Sequence, residues 1–326
     1  MLTNFFWKIV GGLLLPLNAL RHGLFGYTRA RDLPAGQIAK AIAYDWGVVE
    51  RWRKALGNGV DLRGKTILEL GPGPDLGVGL VLLALGAKSY TAVDRHPLAA
   101  TTPKQFYDEL IATIRSKIPD TDEKQLGQEI EKLMAGFKTP FRHSGLTRIG
   151  RNGNLSDSGQ ARMTDSEKNS SNLQYICRDD FSFADIPNRS IDVIVSNAAF
   201  EHFDDIADVI KRVSMVAKPG ARFVADIDLQ THSRIVRAHD PLNIYRFRNG
   251  WYALGKFVGA PNRVRPQAYQ KALESNGWID IVIEPLAKLD EQKTHNALPF
   301  LAPQFRSPAQ QMHYLDIMIT ATIPSL

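Results

Sequence analysis

One stretch, Thr66 to Asp94, TILELGPGPDLGVGLVLLALGAKSYTAVD, constrains the fold of this 326-residue chain more than any other. It reads as strand, glycine-rich turn, helix, strand. Thr66 to Leu70 is an apolar run broken only by Glu69, and Gly71-Pro-Gly-Pro follows at once, so the chain leaves an extended strand through a tight turn. Gly71 and Gly73 carry no side chain, which lets a ligand approach the backbone, and the helix that follows, about Leu76 to Leu85, turns its positive end to the same place. Asp94 ends the next strand, Ser89 to Val93. In a doubly wound sheet this sets its carboxylate beside the first turn at the carboxyl edge, where it can accept hydrogen bonds from both hydroxyls of a ribose.

The dinucleotide fingerprint G-x-G-x-x-G does not fit, because Gly71, Gly73 and Gly77 are spaced one residue too long. Pro72 and Pro74 also remove two N–H groups that a pyrophosphate needs. A zwitterionic nucleoside ligand fits better. Glu69-Leu-Gly-Pro-Gly-Pro with Asp94 resembles motif I and the second-strand acid of the class I S-adenosylmethionine-dependent methyltransferases. The resemblance implies a Rossmann-like α/β fold with a mostly parallel seven-stranded sheet, S-adenosylmethionine as cofactor, and cofactor contacts at Glu69, Gly71, Pro72, Gly73 and Asp94.

The remaining chain supports that architecture. Gln37 to Leu56 has helical apolar spacing, and in such enzymes a helix here lies over the cofactor, which could bring Tyr44 to the site, although core packing is its favoured role. Lys104 to Lys117 and Glu123 to Phe137 are amphipathic, whereas Gly145 to Asn172 is too polar to bury a core and is expected to be disordered. Strands are expected at Leu173 to Cys177, Ile191 to Ser196, Arg222 to Ile227, Trp278 to Glu284 and Tyr314 to Ile323, with helices at Asp204 to Ala217 and Pro266 to Asn276. Lys218-Pro-Gly220 reads as a steep turn and Pro285 to Gln311 as a long loop. The expected organisation is an N-terminal helical segment (residues 1–60) and a methyltransferase domain (61–326) with an insertion at 118–172 and a lid at 229–265.

The resemblance continues through Ser190 to His202, which is similar to motif IV and its extension, and Ala217-Lys-Pro-Gly220. It implies that Asp180 holds the adenine amine, that Phe181 covers the ring, and that Ser196 lies at the cofactor. A fainter likeness, carried by Asp226 to His232, Asp240 to Tyr245 and Asn262 to Arg265, is to a branch found among bacterial surface-glycan genes.

Methyl transfer from a sulfonium needs an aligned acceptor and, for a hydroxyl, a base. His202 and His232 lie just past the strands that should end at the ligand face. His232 oriented by Asp228 is favoured, with Glu201-His202 as the rival pair. No metal is expected, because the acids and histidines show no recognisable ligand spacing. The lid carries Tyr245, Arg246, Arg248 and Trp251, a composition suited to an acidic sugar or lipid-linked phosphate.

Net charge is +6, concentrated in residues 1–65 and 218–271. These basic segments suggest an anionic acceptor or an anionic membrane face. The apolar run Phe5 to Leu20, with Lys8 inside and Pro16 near its end, is shorter than the ~20 residues that span a bilayer. It reads either as an interfacial anchor, with Arg21, Arg29 and Arg31 on anionic lipid, or as a helix covering the sheet. The single cysteine, Cys177, excludes an internal disulfide framework, and the protein is expected in the cytoplasm, at the membrane face or free of it. Function thus reads as O-methylation of a small-molecule, glycan or lipid-linked acceptor. The alternatives are an RNA methyltransferase using the basic, aromatic segment 218–271, disfavoured by the lack of an RNA-binding module, and a cofactor-binding protein without turnover.

Overall fold

The structure, a computed structural model, describes residues 2–25, 36–57, 60–137, 171–178, 180–257 and 259–325. Almost all of the insertion expected to be disordered, with Arg29 and Arg31, lies outside the described residues. The elements run α1 (Leu2–Phe25), α2 (Ile38–Leu56), β1 (Thr66–Leu70), α3 (Gly77–Ala84), β2 (Ser89–Asp94), α4 (Lys104–Lys117), α5 (Glu123–Phe137), β3 (Leu173–Cys177) and β4 (Ile191–Asn197). There follow α6 (Ile206–Val216), β5 (Ala217–Asp228), α7 (Arg234–Arg237), α8 (Asn249–Leu254), α9 (Pro266–Glu274), β6 (Ile279–Lys288), α10 (Glu291–Ala297) and β7 (Tyr314–Thr322). The strands form one seven-stranded sheet in the order β3-β2-β1-β4-β5-β7-β6. All neighbours are parallel except β7, which is antiparallel to both β5 and β6. This is the doubly wound, mostly parallel sheet that the sequence led one to expect.

The sheet is covered on both faces, so its central strands are near-continuous apolar runs, broken in β1 by Glu69 and in β4 by Asp192, Ser196 and Asn197. The period of two still sorts them. Ile194 of β4 joins one core with Leu68, Phe223 and Trp278, while Val193 and Val195 join the other with Ile67, Leu80 and Trp52. α3 is apolar along its length because it is wedged between α2 and the sheet, and a side chain at Gly79 would overlap the ring of Tyr90. α6 starts at Asp205, whose carboxylate accepts from the Asp208 N–H at 3.0 Å.

Two connections differ from expectation. Lys218-Pro-Gly220 lies inside β5, because α6 stops at Val216 and Ala217 pairs at once with Ile191. The strand absorbs the glycine, at φ +76°, as an irregularity, and its N–H donates to Ile323 O at 3.1 Å. Pro285 to Gln311 is a loop only in its second half, after Ala297. β6 continues to Lys288 through register shifts around Pro285, and α10 follows, capped by Asp290 accepting from the Lys293 N–H.

The expected lid at 229–265 is a folded cap with its own core. Leu242, Ile244, Tyr245, Phe247 and Tyr252 pack there against Ala297 at the end of α10 and Leu301, Phe305 and Met312 from the connection between α10 and β7. α1 docks on this cap: Gly11 leaves room for Asn243, whose amide donates to Trp7 O at 2.8 Å, and Trp7 stacks on His239 at 4.6 Å. Two of the residues expected to bind acceptor, Tyr245 and Arg246, are therefore corrected. Tyr245 is buried and its hydroxyl donates to Leu229 O. Arg246 is 3% exposed and grips Asp240 with two hydrogen bonds, at 2.6 and 2.9 Å, while reaching Asn4 of α1 at 2.7 Å. Guanidinium and carboxylate are withdrawn from water together, and neither is available to a ligand. Removing one partner leaves the other as an uncompensated buried charge. Arg246→Ala should cost ~3 to 5 kcal/mol in chemical denaturation, whereas Arg248→Ala, on the exposed end of the same segment, should stay within ~0.5 kcal/mol.

Candidate active site

The glycine turn is shaped by what crosses it. Gly71 sits at φ +69° and donates its N–H to Val93 O at 2.9 Å; a Cβ there would lie 2.5 Å from that of Ala199, in the segment leaving β4. Gly73, at φ +81°, has open space where a side chain would be. Its N–H donates to Asp94 Oδ2 at 3.3 Å, and Asp94 Oδ1 accepts from the His96 N–H at 3.0 Å. Asp94 is thus fixed at the end of β2 facing the turn, and its burial raises its pKa. Pro72 lies between the two glycines, half-buried.

Beneath the turn the acids are buried and support it. Glu69 accepts from the Tyr90 hydroxyl and its pKa is pushed up to about 8, chiefly by burial, so it is a neutral acid at pH 7. Asp75 accepts from the Gly77 N–H at 3.0 Å and is paired with Asp45, burial raising both. Phe181, at φ +49°, is buried edge-on to Phe203, with the Arg95 guanidinium 5.9 Å from its ring centre. Asp180 is exposed and accepts from the Ser182 N–H at 2.9 Å. Ser196 does not face the turn: it is fully buried and its hydroxyl donates to Leu70 O at 3.0 Å, so that donor is spent tying β4 to β1. This corrects its expected place at the cofactor.

Immediately after Ala199, the short helical turn Phe200–His202 presents Glu201 and His202 at the same edge. Asn262 holds this turn by donating to Phe200 O at 2.8 Å and Phe203 O at 3.0 Å. Asp228 ends β5, and His232 follows four residues on, with Nε2 3.6 Å from Asp228 Oδ2. The two imidazoles meet edge to face at 4.9 Å. All four residues expected to be catalytic are therefore brought together. Burial depresses both histidines; His232, with the His202 ring and Arg237 adding to the effect, falls to about 4, and both rings are neutral at pH 7. Glu201 is fully buried, and burial with Asp228, Asp316 and Asp226 nearby pushes its pKa well up.

Sequence reasoning missed two members of this edge and favoured the core for a third, Tyr44. Asp316 of β7 pairs in register with Asp228, is hydrogen-bonded to Asp226, and is raised to about 8 by burial and that neighbour, so the two carboxyls share a proton. Arg51 of α2 lies 3.4 Å from Asp226 and donates to Asn197 Oδ1 at 3.2 Å. Tyr44, two turns before Arg51 on the same face of α2, accepts from the Asn197 amide at 2.5 Å, so it belongs to the site and not to the core. The only signal for Asp316 was an acid in an otherwise apolar strand. Arg248 and Trp251 are exposed on the cap, Trp251 beside α1.

The chain matches the sequence model of a family described as a methyltransferase domain, over residues 47–281. No curated protein matches it. Among solved structures, it is similar to phosphoethanolamine N-methyltransferase 2 of Haemonchus contortus in complex with S-adenosyl-L-methionine, at 11% identity and a TM-score of 0.43, covering 87% of this chain and 53% of that one. The chain thus spans about half the length of that enzyme. It is also similar to an S-adenosylmethionine-dependent methyltransferase from Mesorhizobium loti (16% identity, TM-score 0.40, covering 85% and 99%) and to the CurJ carbon methyltransferase (15%, 0.44, covering 97% and 67%).

Glu69 gives the site a pH signature. Its folded pKa lies above the ordinary 4.5, so between 4.5 and about 8 the folded state holds a proton that the unfolded state has lost, and stability falls as pH rises through that window. Glu69→Gln, which keeps the acceptor for Tyr90 and cannot ionise, should flatten the slope of unfolding free energy against pH by up to ~1.4 kcal/mol per pH unit. An unchanged slope in denaturant titrations across pH 5 to 8 would show that Glu69 is ionised at neutrality.

Proposed function

The chain belongs to the methyltransferase domain family, and from that premise we propose that it transfers the methyl group of S-adenosylmethionine to an oxygen of a small-molecule, glycan or lipid-linked acceptor. One observation carries this reading. The glycine turn with Asp94 and the cluster of Glu201, His202, Asp228 and His232 lie on one carboxyl edge, joined where Ala199 crosses Gly71. In open α/β sheets that edge is where ligands bind.

The residues at the turn fit the cofactor. Gly73 offers open backbone, and Asp94 supplies a carboxylate for the ribose hydroxyls. Phe181 and exposed Asp180 stand just past the end of β3 for the adenine. S-adenosylmethionine, when bound, supplies a methyl group already activated by the sulfonium. On the acceptor side the chain must place a hydroxyl and receive its proton: the acceptor oxygen gains the methyl group, and the proton passes to the His232–Asp228 pair. His232 is free of a proton at pH 7, but a base with a pKa of about 4 is weak. The hydroxyl therefore has to be acidified in the site.

The fit of the turn to its cofactor is open to direct measurement. Isothermal titration should show S-adenosylhomocysteine binding to the wild type and a loss of ~1.5 to 3 kcal/mol, roughly 10- to 150-fold, in Asp94→Ala. Binding of NADH in its place would overturn the assignment.

α1 bears on where the acceptor is met. It is a 24-residue helix without an acidic residue, and among the described residues no helix is long and apolar enough to cross a membrane. Phe5, Phe6, Ile9, Leu13, Leu17, Leu20 and Leu24 are all exposed and fall within roughly 120° of its circumference, with Lys8 and Arg21 flanking the stripe. Ile235, Trp251 and Leu254 expose further apolar surface on the cap elements that α1 packs against. Such a face supports docking on an anionic lipid surface, where a lipid-linked acceptor is presented, and the faint sequence likeness to surface-glycan enzymes agrees with it. The protein should co-sediment with phosphatidylglycerol vesicles, less with phosphatidylcholine, and Leu13→Glu with Leu17→Glu should abolish this; equal recovery of the double variant would exclude the face.

A further inference from the structure

We propose that Glu201, His202 and His232 bind a divalent first-row metal ion, with zinc as the reference ion, at the acceptor side of the methyltransferase site. The inference deepens the reading above and rests on it for the ion's role, though not for its binding.

One donor atom from each of the three residues lies within 4.8 Å of the other two. Among the described residues, Glu201 Oε2, His202 Nδ1 and His232 Nε2 are each buried without a hydrogen-bond partner. Three orphaned polar atoms, one on each residue of a group whose donor atoms come this close, are costly, since each forfeits its hydration without a replacement. Glu201 is the sharpest case, because its side chain is fully buried and no described residue satisfies that oxygen. A cation satisfies all three at once.

The second contact of His202 matches that of a metal ligand. His202 makes a hydrogen bond to the backbone of Gly259, which leaves Nδ1 as the free nitrogen facing the cluster. A ligating histidine typically donates its other N–H to a carbonyl in this way. Asp228 Oδ2 lies 3.6 Å from His232 Nε2, the unpartnered nitrogen itself, and is held by Arg237, so Asp228 stands beside the donor cluster. The donor set is two imidazoles and one carboxylate, which suits zinc, iron or cobalt in preference to magnesium or calcium, whose ligands are oxygens. Ligands about 2.1 Å from a tetrahedral ion stand roughly 3.4 Å apart, so donor atoms lying within 4.8 Å of one another need only a small side-chain adjustment to close on an ion.

Three protein ligands leave at least one coordination position open, as in catalytic metal sites. An acceptor hydroxyl bound there becomes more acidic. His232 is then a ligand, and the hydroxyl proton goes to Asp228 as the oxygen takes the methyl group. The acceptor class narrows accordingly to one that offers a metal-binding oxygen, such as a hydroxy acid, a vicinal diol or a phenol.

The test uses the tag-free full chain, stripped with chelator and titrated with Zn²⁺ by calorimetry and with Co²⁺ by visible d–d absorption. One equivalent of each should bind, with cobalt bands of a four- or five-coordinate site. Glu201→Gln and His202→Ala should each weaken binding by at least ~100-fold, beyond the ~10- to 100-fold that loss of an outer partner costs. S-adenosylhomocysteine affinity and thermal melting, measured on the same samples, report whether each variant is folded; if His202→Ala is not, His202→Gln replaces it. Substoichiometric binding by the wild type, or binding that persists in folded Glu201 and His202 variants, overturns the metal site. Loss of S-adenosylhomocysteine binding in the wild type would instead sink the methyltransferase reading, so the two failures are distinguishable.

Discussion

A side chain on Gly71 would collide with Ala199, and this close approach is the constraint on which the site depends. The segment leaving β4 has to pass directly over the first turn so that Glu201 and His202, two and three residues later, reach the edge where β5 delivers Asp228 and His232. Only glycine permits both the crossing and the positive φ of the turn. The glycine turn and the cluster of Glu201, His202, Asp228 and His232 are therefore set by one piece of packing between β1 and β4, which the Ser196 hydroxyl reinforces by bonding to Leu70 O.

Around that crossing the protein buries an unusual number of acids. Asp45 with Asp75 and Asp226 with Asp316 are carboxyl pairs, and Glu69 and Glu201 are fully buried. Like-charged groups this close cannot all ionise, so several remain protonated and act as donors at neutral pH. The cost is carried by two apolar cores on either face of the sheet. Glu69 and Asp75 support the glycine turn from below, whereas Glu201, with an unsatisfied oxygen, has no structural task that the fold itself explains.

The cap has a separate logic. Its core is small and is fastened to α1 by the buried Asp240–Arg246 pair, which also engages Asn4 and shares Asp240 with Asn243. This network fixes one face of α1 and turns the opposite, apolar face outward. The arginines that looked like ligand grips along the chain divide by burial: Arg246 and Arg265 are structural, the latter bonding to the carbonyls of Gln310, Gln311 and Tyr314, while Arg248 remains at the surface.

The sequence by itself determined the strand, turn, helix and strand of Thr66–Asp94, the doubly wound class, and the helices with clear apolar spacing, because turn chemistry and burial periodicity are local properties. It also placed Glu201, His202, Asp228 and His232 near one edge, since each follows a recognisable strand end. Only the tertiary structure decided that Glu201, His202 and His232 converge with unpaired donor atoms beside Asp228. Glu201 and His232 are far apart in the chain, no ligand spacing joins them, and their approach depends on β4 and β5 being parallel neighbours. The same holds for Asp316, which reaches the site because β7 inserts antiparallel beside β5. Whether an arginine is a clamp or a free cation likewise depends on what folds over it, and residue type alone carries no record of that.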